Sequence, residues 1–330
     1  MRSWIVRRVL STLPLFIGIT LVSFAVIRLA PGGPVDAQSE MNPKMTAEAR
    51  KKMTELYGLD RPLAVQYADW ALRVARLDLG RSFTDGRPVT DKIAQALPVT
   101  LTVNGLSLAL VFAVGVPLGI WGAVHRGAPA DRWVTALTLG VLSVPAYWVA
   151  LLLLSGLGVG LRALPVTGLM SIDHEQMSPA GRIADIAWHL ILPVFVSALA
   201  GAAVIARFMR ASVSDVLAKG YVRAARARGL SEHAVLYRHA LRNALLPVIT
   251  LLGLSLPGLL GGSVLFETVF ALPGMGRLFY DAVTARDYPV VMGILVLGAL
   301  LTLIGNLLAD LGYLWADPRI RTAHRERGGS

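Results

Sequence analysis

The sequence predicts an all-α polytopic membrane protein: six transmembrane helices, a long outer loop after the first of them, and both termini on the inner side. Three observations predict it. Apolar residues make up 55% of the 330-residue chain, charged residues only 16%, and mean hydropathy is +0.59, where an ordinary soluble domain carries roughly 25% charge. Six runs free of Asp, Glu, Lys and Arg reach 18 residues or more, at 9–27, 93–124, 133–161, 186–206, 243–266 and 288–309, and about 20 apolar residues cross a bilayer. A soluble chain burying six such runs would have almost no surface left. The charge is also one-sided. With the N-terminus inside, the inner segments carry 17 Lys and Arg against 6 acids, and the outer segments carry 15 against 15, so the whole net charge of +11 lies inside, as the positive-inside rule requires. The pI of 10.4 thus reflects topology, with membrane lipid as the partner of the basic residues and no nucleic acid.

The first run follows Arg2, Arg7 and Arg8 in the manner of a signal peptide, but it is 19 residues long and is followed by Arg28-Leu29-Ala30-Pro31-Gly32-Gly33-Pro34, with no clear small-x-small cleavage site ahead of a mature domain. It is expected to stay as the first span. Residues 1–92 then form one unit, the first span and a long outer loop, and 93–330 a five-helix core. Within the loop, Thr46–Tyr57 reads as a helix, with Thr46 as N-cap, Glu48 in the first turn and Gly58 past its end. A second helix is expected from Pro62 to about Leu77. Two readings stand for these helices: a solvated cap over the bundle, or a docking surface for a partner. Cysteine is absent, which removes disulfides, thiolate metal sites and a cysteine nucleophile.

The remaining spans carry prolines at 117, 145, 193 and 257 and glycines at 253, 258, 261 and 262, which permit kinks and close helix packing. Their polar residues include Asn104, Ser107, Ser143, Ser197, Ser255, Thr302 and Asn306, with Asp310 at the last inner end. Most Ser and Thr in spans bond their own helix. Asn306 and Asp310, one turn apart, instead read as facing a pathway or a partner subunit. His189 reads as an interface residue rather than a nickel ligand, because no second His lies within four positions.

The inner loop, 207–245, is the most informative stretch. In Tyr221–Pro247 two short helices are expected, joined at Gly229-Leu230. Ala224, Ala225 and Ala227 give the first a small-residue face, and Arg223, Arg226 and Arg228 surround it with donors. Gly229 stands where a left-handed residue ends the helix, with Leu230 as its hydrophobic contact. Ser231 caps the next helix, with Glu232 at its positive end. This is either a lever for another protein or a basic helix held by lipid phosphates.

Tyr221–Pro247 resembles the EAA loop of bacterial ABC importer permeases, in the form found in the dipeptide, oligopeptide and nickel family. The resemblance extends along nearly the whole chain. Leu29-Ala30-Pro31-Gly32, Tyr57-Gly58-Leu59-Asp60-Arg61-Pro62-Leu63, Gln66-Tyr67 and Leu79-Gly80-Arg81-Ser82 are similar to that family's first span and outer loop. Pro98-Val99-Thr100-Leu101 resembles its second span. Glu267, Pro273-Gly274-Met275-Gly276, Arg286-Asp287-Tyr288-Pro289-Val290 and Trp315-Ala316-Asp317-Pro318-Arg319 resemble its final loop and end. The chain departs from the wider family at Arg223, which replaces the naming glutamate, and in placing Leu246-Pro247 18 residues after Gly229. Both departures look like the habit of the peptide branch.

The resemblance implies a B-type permease subunit of the bacterial inner membrane, with a periplasmic first loop, a cytoplasmic EAA-type coupling helix and cytoplasmic termini. It implies a C-type permease partner, two ABC ATPase subunits and a periplasmic or lipid-anchored substrate-binding protein. It also implies no enzyme activity in this chain, with ATP and Mg held by the ATPases, consistent with the absence of a Gly-x-x-x-x-Gly-Lys-Ser/Thr loop. Arg223, Ala224, Ala225, Arg226, Gly229, Leu230 and Ser231 would contact the ATPase, and Tyr57, Gln66, Tyr67 and Trp70 would dock the binding protein. Peptides are the expected cargo; nickel or another solute of the same family is the alternative. A secondary transporter is a further class, but it would need coupling acids within the membrane, and none of the six runs holds a charge.

Overall fold

The computed structural model describes residues 2–29, 32–33, 35–36, 39, 45–255, 258–259 and 262–316. The chain begins with α1 (Arg2–Leu29), continues through the outer helices α2 (Ala47–Leu56) and α3 (Leu63–Ala75), and enters the core at α4 (Val89–Val124). An inner turn leads to α5 (Pro129–Ser143) and α6 (Ala146–Leu153), which runs on as a π-helical stretch, Leu154–Gly160. Next come α7 (Pro179–Leu217) and the inner elements α8 (Gly220–Ala227), α9 (Glu232–Ala234), a π-helical stretch Val235–Ala240 and α10 (Leu241–Ala244). The chain closes with α11 (Leu246–Ser255), α12 (Val264–Val269), α13 (Met275–Thr284) and α14 (Tyr288–Ala316).

Four of the expected spans are single helices long and apolar enough to cross a bilayer: Ser11–Leu29, Val89–Val124, Pro179–Leu217 and Tyr288–Leu307. The run 133–161 is broken instead. α5 and α6 meet at 94°, because Pro145 has no N–H to continue the ladder and forces Val144 into extended backbone (φ −105°, ψ 131°). The run 243–266 holds, among its described residues, the end of α10, the 10-residue α11 and the start of α12, none of them long enough to span alone. Among the described residues, four helices, and a fifth span if the bent pair crosses as one, are long and apolar enough to cross a bilayer; the remaining expected span, 243–266, lies partly outside the described residues. The expected coupling segment 207–245 begins within α7, which continues to Leu217. Pro257, Gly261, the Asp310 side chain and the end motif from Asp317 lie outside the described residues.

α4 and α7 form the centre, side by side and in the same direction. Glycine makes this approach possible: a Cβ on Gly119 would lie 2.5 Å from the Ala206 carbonyl oxygen and 2.6 Å from the Met209 Cβ, and one on Gly115 would lie 2.8 Å from the Ala202 carbonyl oxygen. Backbones this close gain dispersion contacts, which drive helix association in lipid where the hydrophobic effect does not. Ser107 Oγ donates to the Val194 carbonyl across the same contact at 3.3 Å. As expected, Ser143, Ser255 and Thr302 bond their own helix four residues back.

The outer loop is latched to the core by the motifs singled out in the sequence. Asp287 is 1% exposed. Its carboxylate accepts the Phe83 N–H at 3.0 Å and the Ser82 hydroxyl, joining the turn before α14 to the end of the loop. Glu267, 2% exposed, accepts from Thr100 Oγ1 at 2.8 Å and from the Arg277 N–H at 2.9 Å, so it caps α13 from a neighbouring helix. Gly274 is needed there because any side chain would run into that carboxylate. Asp287→Ala removes the acceptor that the Ser82 hydroxyl and the Phe83 N–H share, at a cost of about 1–3 kcal/mol. The expected result is a lower melting temperature in detergent and faster proteolysis of the outer loop, with the core helices still protected.

Candidate coupling site

The geometry of the inner loop starts from how α8 ends. Arg228 closes the helix and Gly229 follows at φ +78°. The Gly229 N–H bonds the Arg226 carbonyl at 2.9 Å, and the Leu230 N–H reaches the Ala225 carbonyl at 3.5 Å. This paired pattern satisfies the orphan carbonyls of the last turn and requires a left-handed residue at Gly229. Ser231 then caps the next element, its hydroxyl accepting the Ala234 N–H at 3.4 Å. A bidentate pair staples the two sides of the turn, with Arg226 Nε 2.8 Å and Nη2 3.0 Å from the two Glu232 oxygens. That hydrogen bonding holds the Glu232 carboxyl below its usual range and raises the Arg226 guanidinium further. A carboxyl with a depressed folded pKa stabilises above its unfolded value and loses that contribution as pH falls through the folded one, so the staple is intact at neutral pH.

The face pattern of α8 corrects one expectation. Val222 and Ala225 are fully buried, packed with Met209, Val213 and Val216 of α7, Val235 and Ala240 of the π-helical stretch, and Ala244 of α10. Ala225 therefore belongs to the inward seam, because it lies three residues from Val222 on one side of the helix. The outward side carries Gly220, Arg223, Ala224 and Ala227, all exposed, with Arg228 and Leu230 at its edge. Leu230 is 40% exposed and seals the turn only in part. Tyr221 extends the scaffold by accepting a hydrogen bond from Asn243 Nδ2 at 2.9 Å. The result is a small-residue surface framed by guanidinium groups, on a rigid base that rests on the inner end of α7.

The outer candidates sit differently from expectation. Tyr67 and Trp70 turn inward: the Tyr67 and Thr20 hydroxyls are 3.1 Å apart, the Tyr67 ring meets Phe24 edge-on at 5.4 Å, and Trp70 is 9% exposed against Phe24, Met292 and Val296. The cause is the period of α3, which places Tyr67, Trp70, Ala71 and Val74 on one stripe. They fasten the loop to α1 and α14. Tyr57 stacks on Phe83 at 4.0 Å, and Gln66 Nε2 donates to the Arg61 carbonyl at 2.7 Å. Tyr57, Gln66 and Trp70 line a cavity of about 920 Å³ between the loop and the outer ends of α1 and α14. On α14, Asn306 is exposed. The structure does not bring the outer candidates or Asn306 to the coupling face.

Several linked residues escaped the sequence reading. His174 Nδ1 lies 2.7 Å and His189 Nδ1 3.3 Å from opposite oxygens of Asp185, which also accepts from the Ser171 hydroxyl and N–H. His189 does have a histidine neighbour through that carboxylate, but from 15 positions away, beyond any one-turn search. Asp131 and Arg210, from separate helices, also meet. Only the three-dimensional fold shows the Asp131–Arg210 and His174–Asp185 pairs, whereas Asp185 and His189 lie one helical turn apart.

The family described as binding-protein-dependent transport system inner membrane component matches residues 115–322, and its N-terminal counterpart matches residues 1–104. The oligopeptide transport system permease protein AppB of Bacillus subtilis is 40% identical over 321 residues, covering 97% of this chain and 99% of that protein. The di/tripeptide transport system permease protein DppB of Pseudomonas aeruginosa is 39% identical over 337 residues, with 97% and 99% covered. A crystal structure titled as an amino acid ABC transporter with histidines aligns at a TM-score of 0.50 and 18% identity, over 67% of this chain and 92% of its own, a likeness of fold alone. By the two family matches and the near-full-length relatives, this chain belongs to the binding-protein-dependent transport system inner membrane components.

Proposed function

We propose that this chain is the B-type permease subunit of an ATP-driven importer of di- and oligopeptides, forming half of the path through the membrane. The observation that carries the coupling role is the outward Arg223, Ala224 and Ala227 face of α8 on its stapled turn. Small side chains let a partner surface approach the backbone, and the guanidinium groups supply donors at its rim. Peptide cargo rests on the relatives of nearly equal length, which are named for oligopeptides and di/tripeptides. The remaining parts are a C-type permease, two ATPases that hold ATP and Mg, and a substrate-binding protein outside. Both termini and α8 are cytoplasmic in this reading, as the inner excess of Lys and Arg requires.

In the proposed mechanism, ATP closes the two ATPases, their grooves carry α8 with them, and α7 moves because Val222 and Ala225 are buried against Met209, Val213 and Val216. Packed helices of this kind switch between discrete arrangements rather than deform continuously. The expected result in liposomes is peptide uptake that requires ATP, both ATPases and the second permease, with no ATP hydrolysis by the purified chain alone. Robust turnover by the isolated chain, after contaminating ATPases are excluded, would contradict the assignment.

A further inference from the structure

At the inner end of α4 the chain turns through 125–132, and Asp131, in the first turn of α5, is 4% exposed. Its carboxylate is held from two sides. Arg210 of α7 reaches it with a fork, Nε at 2.5 Å and Nη2 at 2.7 Å, and the Gly127 N–H donates to Oδ2 at 3.0 Å. Gly122 leaves the lane for this pair: a Cβ there would lie 3.3 Å from Arg210 Cδ and 3.6 Å from Asp131 Oδ1. The residues are 79 positions apart, and the pair joins the α4–α5 corner to α7. Arg210 directly follows Met209, which with Val213 and Val216 forms the roof over Val222 and Ala225 of α8.

Asp131 is buried and the Arg210 side chain is 31% exposed; an ion pair with one buried partner is a poor choice if stability is all that is needed, because desolvation of the carboxylate offsets much of the attraction. What the pair supplies is fixed geometry, since a two-point fork sets an angle as well as a distance. We propose that Asp131 and Arg210 are positioning residues for transport: they lock the α4–α5 corner to α7, so that a displacement of α8 moves α5 and its bend at Pro145 together with α7. The proposal rests on the coupling role given to α8 above. Without the fork, α7 still moves with α8, but the corner lags behind it.

The test uses the complete transporter in liposomes, with dialanine as cargo, and reads cargo imported per ATP hydrolysed together with co-purification of the ATPases. Asp131→Asn/Arg210→Met removes both charges and strands neither. It is expected to retain the ATPases while the uptake ratio falls about tenfold, within the range of a typical coupling energy. Arg210→Lys keeps the charge but loses the fork, and is expected to fall between the double variant and wild type. A double variant that keeps the ATPases and the wild-type ratio would overturn the proposal. If it loses the ATPases, Arg210→Lys decides: a reduced ratio upholds the role of the fork, and a wild-type ratio overturns it. Should the wild-type complex itself import nothing with ATP, the failure belongs to the transport reading, and the proposal falls with it.

Discussion

Gly119→Leu is expected to leave little folded protein in the membrane. Its Cβ would meet the Ala206 carbonyl oxygen at 2.5 Å and the Arg210 amide nitrogen at 3.0 Å, and backbone on the facing helix cannot step aside as a flexible side chain can. α4 and α7 would have to separate along the contact that organises the core. Overpacking a close site costs about 1–3 kcal/mol, occasionally more, and here the loss extends to neighbouring contacts at Gly115 and Gly201. Gly105 on the same helix has nothing within 4 Å of a Cβ, so Gly105→Leu is the matched control. Membrane-fraction yield and melting temperature in detergent should fall sharply for the first variant and stay near wild type for the second.

Gly229→Val acts on transport instead of on folding. No atom lies within 4 Å of a Cβ at Gly229, so the substitution meets no neighbour, and its cost is confined to a β-branched residue held at φ +78°, about 1–3 kcal/mol. The spans do not depend on that turn, and insertion should survive. The turn should open, losing the Gly229 and Leu230 backbone bonds and pulling Arg226 away from Glu232. The α8 face then no longer sits at a fixed angle on α7. Uptake and cargo-stimulated ATP hydrolysis should be abolished, while Gly229→Asn, which tolerates the left-handed region, retains part of both. Wild-type uptake by the valine variant would make the loop a lipid-facing surface.

The parts of this molecule that the sequence made legible are those fixed by local physics. Long apolar runs marked the first, second, fourth and last expected spans, because a bilayer imposes a length that composition reports directly. Thr46, Ser231 and Gly229 announced helix ends, because a cap or a left-handed residue is a property of a few neighbouring positions. Hydropathy did not reveal that α7 runs on through Arg207, Arg210 and Asp215, since a helix leaving the membrane changes composition without changing backbone. Nor did it show the size of the bend at Pro145, although the proline itself was visible. Ala224 and Ala225 are equally small, and only the packing of Val222 decides which of them faces out. Asp131 with Arg210, and Asp287 with Ser82, are pairings across 79 and 205 positions for which no local pattern exists.

The most direct test of the account is where α8 touches its partner. The chain has no cysteine, so single thiols can be placed without background. Ala227→Cys, on the outward side, should form a crosslink to an ATPase subunit in the assembled transporter when a short bifunctional reagent is added, and the yield should change between the nucleotide-free and ATP-bound states. Ala225→Cys, in the buried seam against α7, should form none. Crosslinks of equal yield from both positions, or none from Ala227→Cys in a complex that transports, would contradict the assignment of this face.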